Sequence, residues 1–172
     1  MMVRLFVIAL LSLVTFSCNS GHNKTGNQKR PGKKELAEIN RYMVSKDRER
    51  IENYIARRDL KMTETRSGLW YMIKSEGKGN YFTDNDRVTM EYDCNTLDGT
   101  YCYSSEESGP KEVVVRKTRI ETGLDQGLRL LKPGGEAIFI IPPFLGWGFP
   151  GDGGKIPSRA VLVFNIKVID NN

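Results

Sequence analysis

Apolar and polar positions change their spacing several times along this chain, and each change marks an element. Residues 5–16 are almost continuously apolar behind a single Arg4. That run is too short to span a bilayer but suits the hydrophobic stretch of an export signal. Residues 19–33 are polar and rich in Gly, Asn and Lys, which predicts a disordered tether. Residues 34–60 lack Pro and Gly and carry Leu36, Ile39 and Met43, then Ile51, Tyr54 and Ile55, at helical spacing. The wholly charged residues 46–50 interrupt that stripe. The helix either docks on its own domain or pairs with a second copy as a homodimer, and the sequence leaves both open.

From Gly68 onward the spacing turns to that of strands. Residues 69–73 are apolar and aromatic. Val88, Met90 and Tyr92 alternate with Arg87, Thr89, Glu91 and Asp93, the mark of a half-buried strand. Residues 113–115 are β-branched and residues 137–141 form one apolar run. Leu162, Phe164, Ile166 and Val168 alternate with Asn165 and Lys167, which turns Phe164 inward. One short helix interrupts the strands. Thr122 and Asp125 have capping-box spacing, Leu124, Leu128 and Leu131 follow, and Pro133-Gly134 ends it. One helix against an antiparallel sheet is an α+β design. Residues 142–158 make a long loop that holds Phe144, Leu145, Trp147, Phe149 and Ile156. A loop that long and that apolar is usually functional.

With 172 residues, 39% hydrophobic and 27% charged, the chain suits one packed domain plus appendages. The net charge of +5 gathers near the front, where Lys24, Lys29, Arg30, Lys33 and Lys34 precede the first acid, Glu35. These charges read as a solvated basic linker; no aromatic residue or known module accompanies them, which disfavours a nucleic-acid partner and makes an anionic membrane surface the better functional reading. Thr15-Phe16-Ser17-Cys18 is similar to a bacterial lipoprotein processing site, although Thr15 departs from the usual Leu. Residues 1–17 then read as a lipoprotein signal peptide and residues 18–33 as a lipid-anchored tether. Cys18 is the expected lipidation site, and more than one acyl chain would anchor it stably. Cys94 and Cys102 remain. Export permits disulfides, and the Asp98-Gly99 turn places the pair on facing strands. A cross-strand disulfide is expected, the alternative being two free buried thiols.

The single histidine, His22, lies in the tether. Histidine-dependent triads, histidine zinc sites and imidazole base catalysis are therefore disfavoured. The acidic residues lack metal-loop spacing, and the glycines around Trp147 lack a phosphate-loop context, so no metal or cofactor is expected. An apolar groove remains, and it suffices for one reaction. Peptide-bond rotation has a barrier of ~18–20 kcal/mol from lost resonance. At Xaa-Pro the two ground states differ by only about 0.5–1 kcal/mol, so the barrier alone makes it slow. No bond breaks. A dry pocket with donors on the twisted carbonyl can favour the transition state without acid, base or metal.

Residues 68–170 resemble the FKBP-type peptidyl-prolyl isomerases. The matching marks are Val88-Thr-Met-Glu-Tyr92, Leu97-Asp-Gly99 followed by Ser104-Ser105, Ile120-Glu-Thr-Gly123-Leu-Asp-Gln-Gly127, Pro133-Gly134, Ile141-Pro-Pro143 through Gly148, and Ile156-Pro through Leu162-Val-Phe164. With its leader and one preceding helix, the whole chain is similar to gliding-motility-associated prolyl isomerase lipoproteins of Bacteroidetes-type bacteria. The resemblance implies an FKBP-like curved antiparallel β-sheet wrapped around one short helix, with residues 61–172 as the isomerase domain and residues 34–60 as a helix before it. It implies prolyl isomerisation of unfolded or exported polypeptides by a lipid-anchored protein of the cell envelope, facing the periplasm.

The resemblance also assigns the groove. Tyr92, Trp147, Ile156 and Phe164 are the implied catalytic set, and Tyr103, Ile120, Glu121 and Leu124 the implied substrate-binding set. Ile120 would pack on the proline ring, and backbone at Glu121 would donate to a ligand carbonyl. Leu124 stands at the family's usual tryptophan floor. Trp147 replaces a tyrosine, so its indole N–H would supply the donor. Ile156 would cover the groove and Phe164 wall it. Cys102-Tyr103 stands where the family usually has Phe-Asp, and Lys111 where it has another aromatic. Those departures raise a rival reading: a catalytically weak chaperone or adaptor on the same fold.

Overall fold

The computed structural model describes residues 31–170. The export-signal reading, Cys18 and most of the tether lie outside the described residues. The residues from Ala37 onward form one compact unit.

The first helix, α1, runs Lys33–Arg57 and so stops short of the expected residue 60. Asp59 takes a left-handed φ of 49°, Asp59 N–H bonds Ala56 O, and Leu60 N–H bonds Ile55 O. These bonds close the last free carbonyls of the helix and turn the chain away from it. The strands follow as β1 (Thr63–Glu64), β2 (Trp70–Ser75), β3 (Arg87–Thr96) and β4 (Tyr101–Ser104). A single turn, α2 (Ser105–Ser108), precedes β5 (Lys111–Val114). The second half is α3 (Thr122–Leu128), β6 (Glu136–Ile141), a 3-10 turn (Pro143–Leu145) and β7 (Leu162–Val168). All pairings are antiparallel, in the order β1-β2-β6-β7-β3-β4. Strand β3 is long enough to pair β7 along one side and both β4 and β5 along the other.

Side-chain alternation explains the two cores. Ala137, Phe139 and Ile141 of β6 and Leu162, Phe164 and Ile166 of β7 face the core that holds Leu124 and Leu128 of α3. Ile138, Ile140 and Val163 face the opposite core, closed by Ile51 and Tyr54 of α1. The apolar run at 137–141 lacks alternation because both of its faces are covered. The docking question for α1 is answered for its second half, which sits on this sheet face. Its first half leaves Ile39, Tyr42 and Val44 exposed.

Helix α3 lies close on the sheet because Gly127 has no side chain. A Cβ there would stand 2.7 Å from the Phe139 ring. Phe139 is fully buried and has nowhere to retreat. Gly127→Ala is expected to lower stability by about 1–3 kcal/mol. The check is a lower urea midpoint with an unchanged slope; an unchanged midpoint would contradict the close approach.

Two expectations are corrected. The capping box does not form: Glu121 precedes α3 as its cap without a side-chain bond. Asp125 is drawn elsewhere, accepting the Arg116 N–H at 2.7 Å and facing Arg129 at 3.5 Å. Cys94 and Cys102 are free buried thiols, not a disulfide. A register shift between Cys94 and Asn95 sets Tyr103, not Cys102, opposite Cys94. Burial is the largest cause raising both thiols above their ordinary range, so both stay protonated and inert.

Candidate active site

Between α3, the concave face of the sheet and the loop before β7 lies a cavity of about 220 Å³. Strand β3 supplies Tyr92 and Cys94, β4 Tyr103, β5 Lys111, and β7 Phe164. The cap of α3 adds Glu121, and the loop after β6 adds Trp147, Asp152 and Ile156. All four residues of the expected catalytic set therefore meet in one place, with Tyr103 and Glu121. Ile120 and Leu124 do not line it. Leu124 is fully buried under α3, and half-buried Ile120 packs on the same core. A larger depression of about 670 Å³ lies beside Glu91, Asp93, Asn165 and Lys167. It is largely polar and shares only Tyr92 with the expected set, so the smaller cavity is the candidate.

The walls are held by local contacts. Tyr92 and Phe164 meet with ring centroids 6.4 Å apart, tilted by 38°. The Lys111 ammonium stands 5.7 Å from the Tyr92 ring centroid, so its charge caps an aromatic face. Ser105 fixes the Tyr92 backbone: its hydroxyl oxygen accepts the Tyr92 N–H at 3.0 Å and its proton reaches the Tyr92 carbonyl at 3.3 Å. That double contact gives the Ser104-Ser105 motif a structural reason.

The loop over the cavity is tied by Asp152. One carboxylate oxygen accepts the N–H groups of Gly154 at 2.7 Å and Ile156 at 2.9 Å. The other accepts the Tyr103 hydroxyl at 2.6 Å, and that hydroxyl in turn accepts the Lys155 N–H at 3.1 Å. Gly151 permits the turn, with φ of 74° and no room for a Cβ beside the Ile156 carbonyl. Burial pushes the Asp152 carboxyl up, but the Tyr103 and amide hydrogen bonds outweigh it and hold it below its ordinary 3.8. The tie is therefore complete above pH 3.8 and weakens as pH falls below that value. Tyr103→Phe removes one donor and one acceptor from the loop. Faster hydrogen exchange at Lys155 and Ile156 is the expected result, with global stability lowered by about 1 kcal/mol. Unchanged exchange would show that Tyr103 does not hold the loop. Asp152 of the loop thus brings a carboxylate to the groove beside Tyr103, the position at which the resemblance implied an Asp.

Trp147 sits between Gly146 and Gly148, half-buried against the groove. Its indole N–H donates to Glu121 Oε1 at 2.8 Å. The donor expected for a substrate carbonyl is therefore already engaged. The Glu121 backbone N–H has no backbone acceptor among the described residues. Asp152 and the Glu121–Trp147 pair escaped the sequence reading, because each joins positions far apart in the chain. No group of three or more metal-ligating side chains gathers among the described residues.

The model of the FKBP-type peptidyl-prolyl cis-trans isomerase family matches residues 79–169. The chain belongs to that family. It is 41% identical over 105 residues to the probable FKBP-type isomerase FkpA of Neisseria meningitidis serogroup B, covering 61% of this chain and 38% of that one. It is 37% identical over 115 residues to a probable FKBP-type isomerase of Haemophilus influenzae, covering 67% of this chain and 46% of the relative. The chain therefore spans less than half the length of these curated relatives. The crystal structure of FkpA from Escherichia coli shares the fold, with a TM-score of 0.61 and 23% identity over 83% of this chain and 74% of that one. Membership in the FKBP family accounts for the sheet order and for the groove's place beside α3. Cys102, Tyr103, Lys111, Leu124 and Trp147 are the positions at which this chain departs from the pattern that the resemblance implied.

Proposed function

We propose that this chain is a peptidyl-prolyl cis-trans isomerase whose groove binds the twisted Xaa-Pro amide. The observation that carries the reading is the convergence of Tyr92, Trp147, Ile156 and Phe164 on one cavity of about 220 Å³. A proline ring held against Phe164 and the indole loses its water. The Glu121 N–H, without a backbone acceptor among the described residues, would take the carbonyl as it rotates out of conjugation. Such a donor is worth more in a dry site than in water. Proton transfer is not required, so a groove lining without histidine is no obstacle.

The export-type leader and Cys18 support a setting in the cell envelope, lipid-anchored and facing the periplasm, as in the gliding-motility-associated lipoproteins the chain resembles. The natural substrates are then exported polypeptides that wait tens of seconds on each uncatalysed Xaa-Pro bond. Mass spectrometry of the mature protein tests the anchor: acyl mass on Cys18 supports it, and an unmodified Cys18 removes it. The exposed first half of α1 supports pairing of two copies, which sedimentation with and without residues 34–60 would decide.

The rival reading, a binding module without useful catalysis, draws on Lys111 and on the tyrosine at 103. One experiment separates the two. Refolding of a protein limited by a proline isomer is followed with added protein, alongside suppression of its aggregation. Acceleration of the slow phase supports the isomerase; suppression without acceleration supports the holdase.

A further inference from the structure

We infer that Arg159 is a positioning residue for Trp147, and that helix α1 serves the groove through it. The inference rests on the groove being the peptide site. Arg159 lies outside the groove lining. Its backbone takes a left-handed φ of 55°, in the turn that the Ala160 N–H closes onto the Pro157 carbonyl at 3.3 Å. A turn position with positive φ ordinarily holds glycine or asparagine. Arginine is strained there, and such strain persists only where the surroundings fix the residue from more than one side.

Two sets of contacts fix it. On one side the guanidinium reaches α1, where one nitrogen bonds the buried Asp47 carboxylate at 2.5 Å and the other meets the Met43 sulfur at 3.2 Å. On the other side the Arg159 N–H bonds the Gly148 carbonyl at 3.0 Å. Gly148 follows Trp147, and its own N–H bonds the Pro143 carbonyl at 2.9 Å. Beside this bond the Ser158 hydroxyl donates to the Phe149 carbonyl. Glycines on both sides of Trp147 give its backbone little stiffness of its own. The place of the ring therefore depends on these backbone bonds and on the indole bond to Glu121 at 2.8 Å. A glycine at 159 would make the turn without help. An arginine makes it depend on α1, and the contacts run unbroken from Asp47 through Arg159 and the Gly148 carbonyl to the indole wall of the groove.

The test uses the full chain carrying Asp47→Asn with Arg159→Met, which removes the tie and strands no charge. Two readouts need no substrate: the Trp147 indole N–H resonance, identified by its absence in Trp147→Phe, and amide hydrogen exchange at Arg159. The double substitution is expected to shift the resonance and to speed that exchange about tenfold. It is expected to lower kcat/KM for Xaa-Pro isomerisation about tenfold, as a wall that has moved but not gone. An unmoved resonance, or an unchanged kcat/KM, overturns the inference. Arg159→Met alone separates positioning from stability. It is the less stable of the two, so activity that returns with stability in the double substitution belongs to folding and also overturns the inference. Asp47→Asn with Arg159→Gly takes the left-handed turn without a tie. It is expected to regain the wild-type resonance and most of the activity; no gain over Arg159→Met overturns the inference. If the double substitution does not fold, Arg159→Lys replaces it, keeping a charge beside Asp47 and giving up the Met43 contact. The same shifts are then expected at smaller size, and none at all overturns the inference. A wild type that accelerates no Xaa-Pro exchange would sink the isomerase reading, while the resonance and the amide exchange would still decide whether Arg159 holds Trp147.

Discussion

Replacing Trp147 by alanine is expected to lower kcat/KM for Xaa-Pro isomerisation about a hundredfold, the size of effect that follows from misplacing a bound reactant. Three consequences of the geometry add up. The indole wall of the groove disappears, so a proline ring is no longer enclosed. The Glu121 side chain loses the one hydrogen bond it makes among the described residues and keeps a buried carboxylate with neither oxygen paired. The Glu121 backbone, whose N–H has no backbone acceptor among the described residues, is then anchored by one contact fewer. The second consequence also costs stability, by about 1–3 kcal/mol. Trp147→Phe separates the parts. It restores a ring without a donor, so it should recover some binding but not the rigidity at Glu121. Activity in Trp147→Ala equal to wild type would remove the indole from the site.

Arg159→Met is expected to be the most destabilising polar substitution, at about 3 kcal/mol. Arg159 reaches Asp47 of α1 at 2.5 Å, where the Asp47 side chain is 7% exposed. Its other nitrogen meets the Met43 sulfur at 3.2 Å. Removing the guanidinium strands a carboxylate against the sheet, with only Arg50 left at 3.8 Å. The figure is taken at the low end of such losses because Arg159 keeps 25% of its side chain exposed. The pH dependence has a definite sign. Burial raises the Asp47 carboxyl above its ordinary 3.8, and Arg159 and then Arg50 pull it back. A carboxyl raised in the folded state binds its proton more tightly there, so stability falls as pH rises from 3.8 through the folded value. Losing Arg159 widens that window. Urea denaturation should therefore show Arg159→Met closer to wild type in acid than at neutral pH. The double substitution Asp47→Asn with Arg159→Met should recover part of the loss, since no charge is then stranded. A neutral-pH loss below the error of the measurement would show that the pair does not hold α1 down.

These effects also show what pattern reading can reach. The strand at residues 162–168 and the buried Leu124, Leu128 and Leu131 followed from spacing alone, because burial repeats with the period of the element. The ends of the helices followed less well. Asp125 had the right spacing for a cap but found Arg116 and Arg129 instead. Asp59 ended α1 in a left-handed turn that no glycine announced. Residues 46–50 read as a charged interruption of the apolar stripe, yet one of them is the buried partner of a residue 112 positions away. The groove divides in the same way. Tyr92, Trp147, Ile156 and Phe164 lie on elements whose order fixes their meeting. The Glu121–Trp147 and Tyr103–Asp152 bonds depend on where loops come to rest, and no local spacing encodes that. The expected disulfide failed for the same reason, a one-residue register shift inside the hairpin.

The central claim is that this groove turns Xaa-Pro bonds. Exchange NMR on a short Xaa-Pro peptide tests it most directly, with catalytic amounts of the full chain and with Trp147→Ala as the control. Uncatalysed exchange takes tens of seconds, so cis and trans signals of the free peptide do not connect on a sub-second mixing time. The predicted result is cross-peaks between them with wild type, largely lost in Trp147→Ala, together with shifts at the Tyr92, Trp147 and Phe164 rings. Exchange at the uncatalysed rate, with those rings unmoved by the peptide, would contradict the account.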